Sequence, residues 1–499
     1  MHNAMRKLGF DNNAYLEKQS ENIINRLNKF GSKLYLEFGG KLFDDHHAAR
    51  VLTGFEPDSK IKMLEKLKDE AEIVIAINAS DIEKNKVRGD LGITYDMDVL
   101  RLIDAFRGYG LYVSSVVITQ FEGQTNAIAY RHKLEKLGLK VYLHYPIAGY
   151  PSNLSLIISD DGYGRNEYVE TTRRIVVVTA PGPGSGKMAT CLSQLYHENK
   201  RGIKAGYAKF ETFPIWNLPL KHPVNLAYEA ATVDLSDVNM IDPFHLEAYG
   251  KMAVNYNRDV EVFPVLNAIF QRIYGESPYK SPTDMGVNMI KSCIIDDDVV
   301  SQAAKDEIIR RYYNTCCQVR KGNADQEQVS KLELIMEQAH ISPGDRAVAV
   351  AAMKRAEETG GPAAAIQMED GTIITGKTSE LLGATSAMLL SALKHLAGIS
   401  KDVDLISPII IEPICKLKTD HLGNSNPRLH SDEILIALSI CALTDLNARK
   451  AMQQLRNLRG CEAHTSVIIS QVDMGVLRKL GVNLTSEPVY QTKKLYHGN

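Results

Sequence analysis

The sequence predicts an α/β protein with an N-terminal, mostly parallel, Rossmann-like sheet, a central helical module and a smaller C-terminal α/β domain. Three observations carry that prediction. From Lys33 to about Phe263, short β-rich apolar runs alternate with helix-period patterns, the order expected of a parallel sheet with helical crossovers. Between Ser281 and Thr359 strand signals vanish and helix punctuation strengthens. After Gly361-Pro362 the alternation resumes. The expected boundaries are therefore 1–280, 281–360 and 361–499.

Taken in order, the N-terminal runs are EIVIAIN, a helix through MDVLRLIDAFRGYG, LYVSSVVIT, a helix through AIAYRHKLEKLG, then LKVYLHYPI, LSLIIS, RIVVVTA and AGYAKF. Pro214 to Pro223 holds three prolines and the single tryptophan, which predicts an irregular excursion serving as a lid or an interface. In the middle, Asp296, Asp297 and Asp298 suit a helix start, and Gly322 follows the basic pair Arg320 and Lys321 at a helix end. Ser342-Pro343-Gly344-Asp345 supplies a cap, a first-turn proline and an acid, and Gly360 ends that helix. Beyond it, AAAIQME and TIITG flank Asp370-Gly371 as a hairpin, and a long helix covers Ser379 to Leu396. Further strands are expected at Ile409 to Ile411 and Thr465 to Ile469.

Composition narrows the classes of function. A chain of 499 residues exceeds one ordinary core. Lysine and arginine number 58 against 60 acids, so there is no general footprint for nucleic acid or an anionic membrane surface. The opening MHNAMRKLGFDNNAYLEK has no signal-peptide core and no later stretch resembles a membrane span, so the expected location is the cytoplasm. Seven cysteines are scattered without C-x-x-C pairs, which points to neither a disulfide framework nor a structural zinc, and Cys316 and Cys317 read as core or boundary residues.

The most informative segment is IVVVTAPGPGSGKMATCLSQLYHENKRG, Ile175 to Gly202. It orders a buried strand, a glycine-rich turn, a lysine and an amphipathic helix whose Met188, Cys191, Leu192, Leu195 and Tyr196 share a face. Such a turn aims backbone N–H groups at an anion, the helix N-terminus adds partial positive charge, and Lys187 brings a cation. The Walker pattern G-x-x-x-x-G-K-[ST] is met at Gly186 and Lys187 but not at Pro181 or Met188. Gly182, Gly184 and Ser185 keep the loop permissive, and Thr190 lies two residues past the usual Mg²⁺-binding hydroxyl. The bland alternative is a strand-to-helix connection in which glycine only permits close packing.

Ligands of open α/β sheets bind beyond the carboxyl ends of strands. Following EIVIAIN come Asn78, Arg88, Gly89 and Asp90; following VVIT come Glu122, Gly123, Gln124, Thr125 and Asn126; following AKF come Glu211 and Thr212. If these strands share one parallel sheet, their loops open where Gly184 to Lys187 sit. Arg88 is then a second anion contact, Gln124 a cofactor contact, and Asp90, Asp96 or Asp98 holds a metal or a hydroxyl. Solvation and helix capping account for the same residues otherwise. Asp44-Asp45-His46-His47 has metal-ligand composition, but helical neighbours point about 100° apart and two acids suit a helix start. In HLGNSNPRLHSDE, His421, Asn424, Asn426, Arg428 and His430 crowd one loop; Ser431-Asp432-Glu433 also reads as a helix start.

Together, LEFGGKLFDDHHAARVLTGF, APGPGSGKMATCLSQLYHE and GATSAMLLSALKHLAGI resemble a family of full-length bacterial proteins known as a domain of unknown function. The resemblance implies a three-part architecture, a phosphate-loop-like N-terminal region and a homo-oligomer. DGTIITGKTSELLGATSAMLLSAL is also weakly similar to cytidine-deaminase-like folds, whose zinc-binding His or Cys with Glu and later P-C-x-x-C are absent at Ser386 to Leu389 and at Gly460 to His464. That likeness implies a fold without zinc deamination. The expected function is a metabolic enzyme, a phosphotransferase or ATP-dependent enzyme, binding ATP or another small phosphorylated ligand with or without Mg²⁺ at Gly182 to Lys187. The alternative is a regulatory protein that senses the same ligand without turning it over, which Met188 favours.

Overall fold

The computed structural model describes residues 7–88, 91–235 and 237–492. The chain forms two compact units, Leu8–Ala304 and Lys305–Asn499 with Met1–Lys7. In the first, the major strands are β1 (Lys33–Phe38), β2 (Ala71–Asn78), β3 (Tyr112–Thr119), β4 (Lys140–Leu143), β5 (Ile175–Thr179) and β6 (Ala205–Phe210). They lie in the order β4-β3-β2-β5-β1-β6, all parallel. Every residue of β5 is buried, as its IVVVT run requires of a strand in mid-sheet.

Helices cover both faces. The helix α1 (Asn12–Phe30), capped by the Asp11 carboxylate accepting from Ala14 N, lies on β1 and β6; α2 (Tyr95–Gly108) lies on β2 and β3. A third, α3 (Thr125–Lys136), follows β3. On the other face, Tyr35, Val74, Val176, Val178 and Tyr207 pack with Cys191, Leu192 and Leu195 of α4 (Lys187–Lys200) and with Phe263, Leu266 and Phe270 of α5 (Asn257–Tyr274). Fully burying each such side chain contributes about 1.5–3 kcal/mol. One expected strand is overturned: in LSLIIS, Leu154–Ile157 is a single helical turn capped by Asn153. That short apolar run has no strand partner, and the Asn153 cap selects the helix.

The second unit begins within α6 (Asp297–Arg320), followed by α7 (Gln326–Gln338) and α8 (Ala347–Thr359). The residues between 281 and 360 thus fall in both units. Ser342 and Asp345 form the reciprocal cap before α8, and Gly360 ends it in a left-handed conformation. The sheet has the order β8-β7-β9-β10, built from β7 (Ala363–Gln367), β8 (Ile373–Lys377), β9 (Glu462–Thr465) and β10 (Asn483–Ser486). The Asp370-Gly371 hairpin joins β7 to β8, and only β9 and β10 pair in parallel. Ala364 and Ile366 face α9 (Ala384–Ala397), whereas Ala365 faces α8. At Gly376 a Cβ would fall on the Met388 backbone nitrogen, so glycine there sets how closely α9 approaches the sheet.

Two expectations shift. Ile409 to Ile411 belongs to a helix, α10 (Pro408–Lys416), because Pro408 opens a helical first turn after Ser407. The strand expected at Thr465 to Ile469 ends at Thr465, and the long helix starts at Ala384 rather than Ser379. Two further helices are α11 (Ser431–Cys441) and α12 (Gln471–Lys479). Beside the sheet, Arg346 donates to Thr485 Oγ1, Glu462 Oε2 and the carbonyls of Ala463 and Asn483 at 2.7–3.0 Å. Glu462 Oε1 accepts from Arg310 at 2.7 Å. Among the described residues no helix is long and apolar enough to cross a membrane.

Candidate functional site

Because all six strands of the main sheet run parallel, the loops after β2, β3, β5, β1 and β6 open on one edge of the sheet. A cavity of about 900 Å³ lies there, a volume at the upper end for small-molecule sites. Its lining combines the loop Ala180 to Gly184 with Lys187 and Met188, the β1 and β6 ends with Glu37, Lys209 and Glu211, and a basic wall with Arg88 and Arg101.

The glycine loop leaves the end of the central strand β5 and enters α4 directly. Gly184 and Gly186 hold positive φ of 75° and 83°, where a side chain is strained. The Ser185 hydroxyl donates to Gly182 O at 2.8 Å, Thr119 Oγ1 donates to Ser185 O at 2.8 Å, and Asn78 Nδ2 donates to Gly184 O at 3.2 Å. In a trans peptide the N–H opposes the C=O, so the N–H groups of Ser185 and Gly186 point away from Asn78 and Thr119. No side chain caps α4, which leaves its first-turn N–H groups for an anion.

A second wall comes from residues that share a face. Register sets Glu37 opposite Val178 on one side and Lys209 on the other, so Glu37 and Lys209 point to the α4 and α5 side. Lys209 Nζ lies 2.5 Å from Asp259, in the first turn of α5, and 3.3 Å from Glu211. Glu37 accepts from the Tyr207 hydroxyl at 2.5 Å. Burial, opposed by Lys209 and assisted by Asp259 and Glu37, pushes the Glu211 carboxyl up to about 7. Asp259, Glu211 and Glu37 hold Lys209 protonated against its own burial. Arg258 pairs with Asp237 through both carboxylate oxygens at 2.7 Å, and Tyr228 and Tyr256 complete this wall.

The sequence-predicted residues divide accordingly. Gly182, Gly184, Lys187 and Arg88 line the cavity together. Asp98, fully buried, gives one oxygen to Arg88 at 2.8 Å and the other to Arg101 at 2.7 Å, so its charge serves those two cations. Gly186 and Ser185 shape the loop from beneath. The Thr190 hydroxyl is buried and donates to Gly186 O at 2.9 Å, and Thr190 does not line the cavity. Gln124 accepts from Glu122 N and donates to Gln120 O, and it does not line the cavity. Asp90 lies outside the described residues. Sequence reasoning did not assign Glu37, Lys209 or Asp259; the available signal was a charged residue at the end of an otherwise apolar strand in KLYLEF and AGYAKF.

Elsewhere, Asp45 caps the helix His46–Val51 and pairs with Lys60 at 2.6 Å, and no cluster of three metal-ligating side chains occurs among the described residues. In the loop before α11, His430 Nδ1 lies 2.8 Å from Asp473, which also accepts from Ser431 and Ser470. The Asp473 hydrogen bond lifts the His430 pKa, while His430 and Ser431, against burial, bring Asp473 down to about 2. A raised histidine contributes stability that is complete below its unfolded pKa of about 6.5 and is lost as pH rises through the folded value. The stability difference between the parent and His430→Gln is therefore expected to be largest at pH 5–6 and to shrink toward pH 8. Denaturant titrations giving a pH-independent difference would refute this.

Two family models cover the chain, described as "Domain of unknown function DUF1846, N-terminal" over residues 8–340 and "Domain of unknown function DUF1846, C-terminal" over residues 344–496. A UPF0371 protein of Streptococcus thermophilus is 59% identical over 492 residues, covering 99% of this chain and all of the relative. UPF0371 proteins of Streptococcus uberis and Streptococcus pneumoniae are each 58% identical over the same span.

Proposed function

The chain belongs to the DUF1846 family of unknown function, and since that membership names no reaction, we propose from the geometry that the N-terminal cavity is the active site of an enzyme acting on a phosphorylated small molecule. One observation carries the reading: a left-handed glycine turn and an uncapped helix N-terminus open, with Lys187, into a large cavity whose opposite wall holds the Glu211 carboxyl, raised by its burial. The N–H groups of Ser185 to Met188 take the phosphate, and Lys187 and the Arg88–Arg101 wall neutralise its charge. Glu211 is suited to proton transfer at the far end because burial raises its pKa above the ordinary carboxylate range. A nucleotide used with Mg²⁺ belongs within this proposal, its metal held by the ligand and by a carboxylate other than Asp98.

Lys187→Ala is expected to weaken phosphate-ligand binding by about 1.5–3 kcal/mol, as for a hydrogen bond to a charged group, with global stability unchanged within about 0.5 kcal/mol. Calorimetric titration with inorganic phosphate, sugar phosphates and ATP, with and without Mg²⁺, measures this; equal binding by parent and variant reduces the glycine turn to packing. A non-catalytic sensor is the second reading, favoured by Met188 where a Walker loop has a hydroxyl. Turnover of any ligand that binds through Lys187 removes it.

A further inference from the structure

We infer that the ligand's other half is a sugar or similar polyol, so that the cavity is a phosphosugar site with the phosphate on the glycine loop and the hydroxyls on the wall formed by Glu211, Tyr228, Asp237 and Asp259. This rests on the phosphate reading above and goes beyond it by naming what the phosphate is attached to.

Charge compensation is the first argument. Asp259 is paired with Lys209 and Asp237 with Arg258, so most of the wall's charge is already neutralised within the protein. Such a wall calls neither for an amine nor for a second anion. What it offers is a dense alternation of carboxylate acceptors with ammonium, guanidinium and phenol donors, and a hydroxyl is the group that both gives and accepts. Sites built around hydroxyls discriminate strongly, because an analogue lacking them leaves buried polar groups unpaired.

Span is the second. The glycine loop follows β5 and Glu211 follows β6, with β1 between them. Two inter-strand spacings put the two subsites about 10 Å apart, a distance one hexose phosphate bridges and an extended nucleoside triphosphate overruns. The strand ends nearest this wall carry Glu37, Lys209 and Glu211 into the cavity.

Calorimetric titration of the full chain with inorganic phosphate, a panel of hexose 6-phosphates and pentose 5-phosphates, and Mg·ATP tests the inference. At least one sugar phosphate is expected to bind tenfold or more tighter than inorganic phosphate. Glu211→Gln and Tyr228→Phe, which keep side-chain shape, should erase that gain and leave inorganic phosphate within twofold of the parent, whereas Lys187→Ala weakens both ligands. If sugar phosphates bind no tighter than inorganic phosphate while phosphate or Mg·ATP still depends on Lys187, the sugar inference falls and the phosphate site stands. If sugar phosphates keep their full advantage in both wall variants, the inference falls as well. If no phosphate-bearing ligand binds, both readings fall together.

Discussion

Arg346→Met is expected to destabilise the C-terminal unit by about 3–5 kcal/mol, the cost of removing one partner from a buried ion pair. The Arg346 side chain is 4% exposed and makes four hydrogen bonds, to Glu462, Thr485 and the carbonyls of Ala463 and Asn483. Methionine fills comparable volume but leaves the two carbonyls without their Arg346 hydrogen bonds and Glu462 with only Arg310 and Asn483 as partners. Arg346→Lys restores charge but not the planar fork that reaches both carbonyls, so only partial recovery is expected. Hydrogen exchange read on peptides from 305–492 measures the loss within this unit, and a loss below about 1 kcal/mol would show that the network is not a stabilising one. Replacing Glu462 by Leu as well should recover part of the stability relative to Arg346→Met, because the carboxylate left short of a partner is gone while Arg310 keeps its ion pair with Glu307 at 2.8 Å.

The sequence is most legible where one local signal decides. RIVVVTA, the glycine turn and the helix after it are read correctly because apolar continuity, glycine and helical spacing agree, and the Asp370-Gly371 hairpin is read from its turn alone. LSLIIS and PIII fail for one physical reason: a short apolar run fits a strand or a helix, and the cap at Asn153 or the first-turn proline at Pro408 decides. In the candidate site, Gly182 to Lys187 and Arg88 are visible as a motif and a loop residue. Glu37, Lys209 and Asp259 are not, since their proximity depends on β1 lying between β5 and β6 and on the register that pairs Glu37 with Lys209. That order places a strand from near the chain's beginning between two that follow it by more than a hundred residues, which no local pattern reveals.

Lys209→Met is expected to destabilise the N-terminal unit by about 3–5 kcal/mol near pH 8, and by less below pH 7. The lysine lies 2.5 Å from Asp259, 3.3 Å from Glu211 and in register with Glu37, so its removal leaves three carboxyl groups around an apolar side chain. In the parent the Glu211 carboxyl already stands at about 7, with burial raising it and Lys209 lowering it. Without that cation its folded value moves higher still. A carboxyl whose folded pKa exceeds its unfolded value of about 4.3 binds more protons in the native state between the two values, so stability falls as pH rises through that window. Urea unfolding of parent and variant from pH 5 to 9 reads the sign directly: both lose stability together up to about pH 7, and the difference must widen above it, where the parent's Glu211 is ionised and the variant's still holds its proton. Adding Glu211→Gln to Lys209→Met removes the group that titrates and should flatten most of the slope. A difference that stays constant with pH would mean that the loss comes from packing of the lysine stem, and the wall opposite the glycine loop would then lose its claim to a proton-transferring carboxyl.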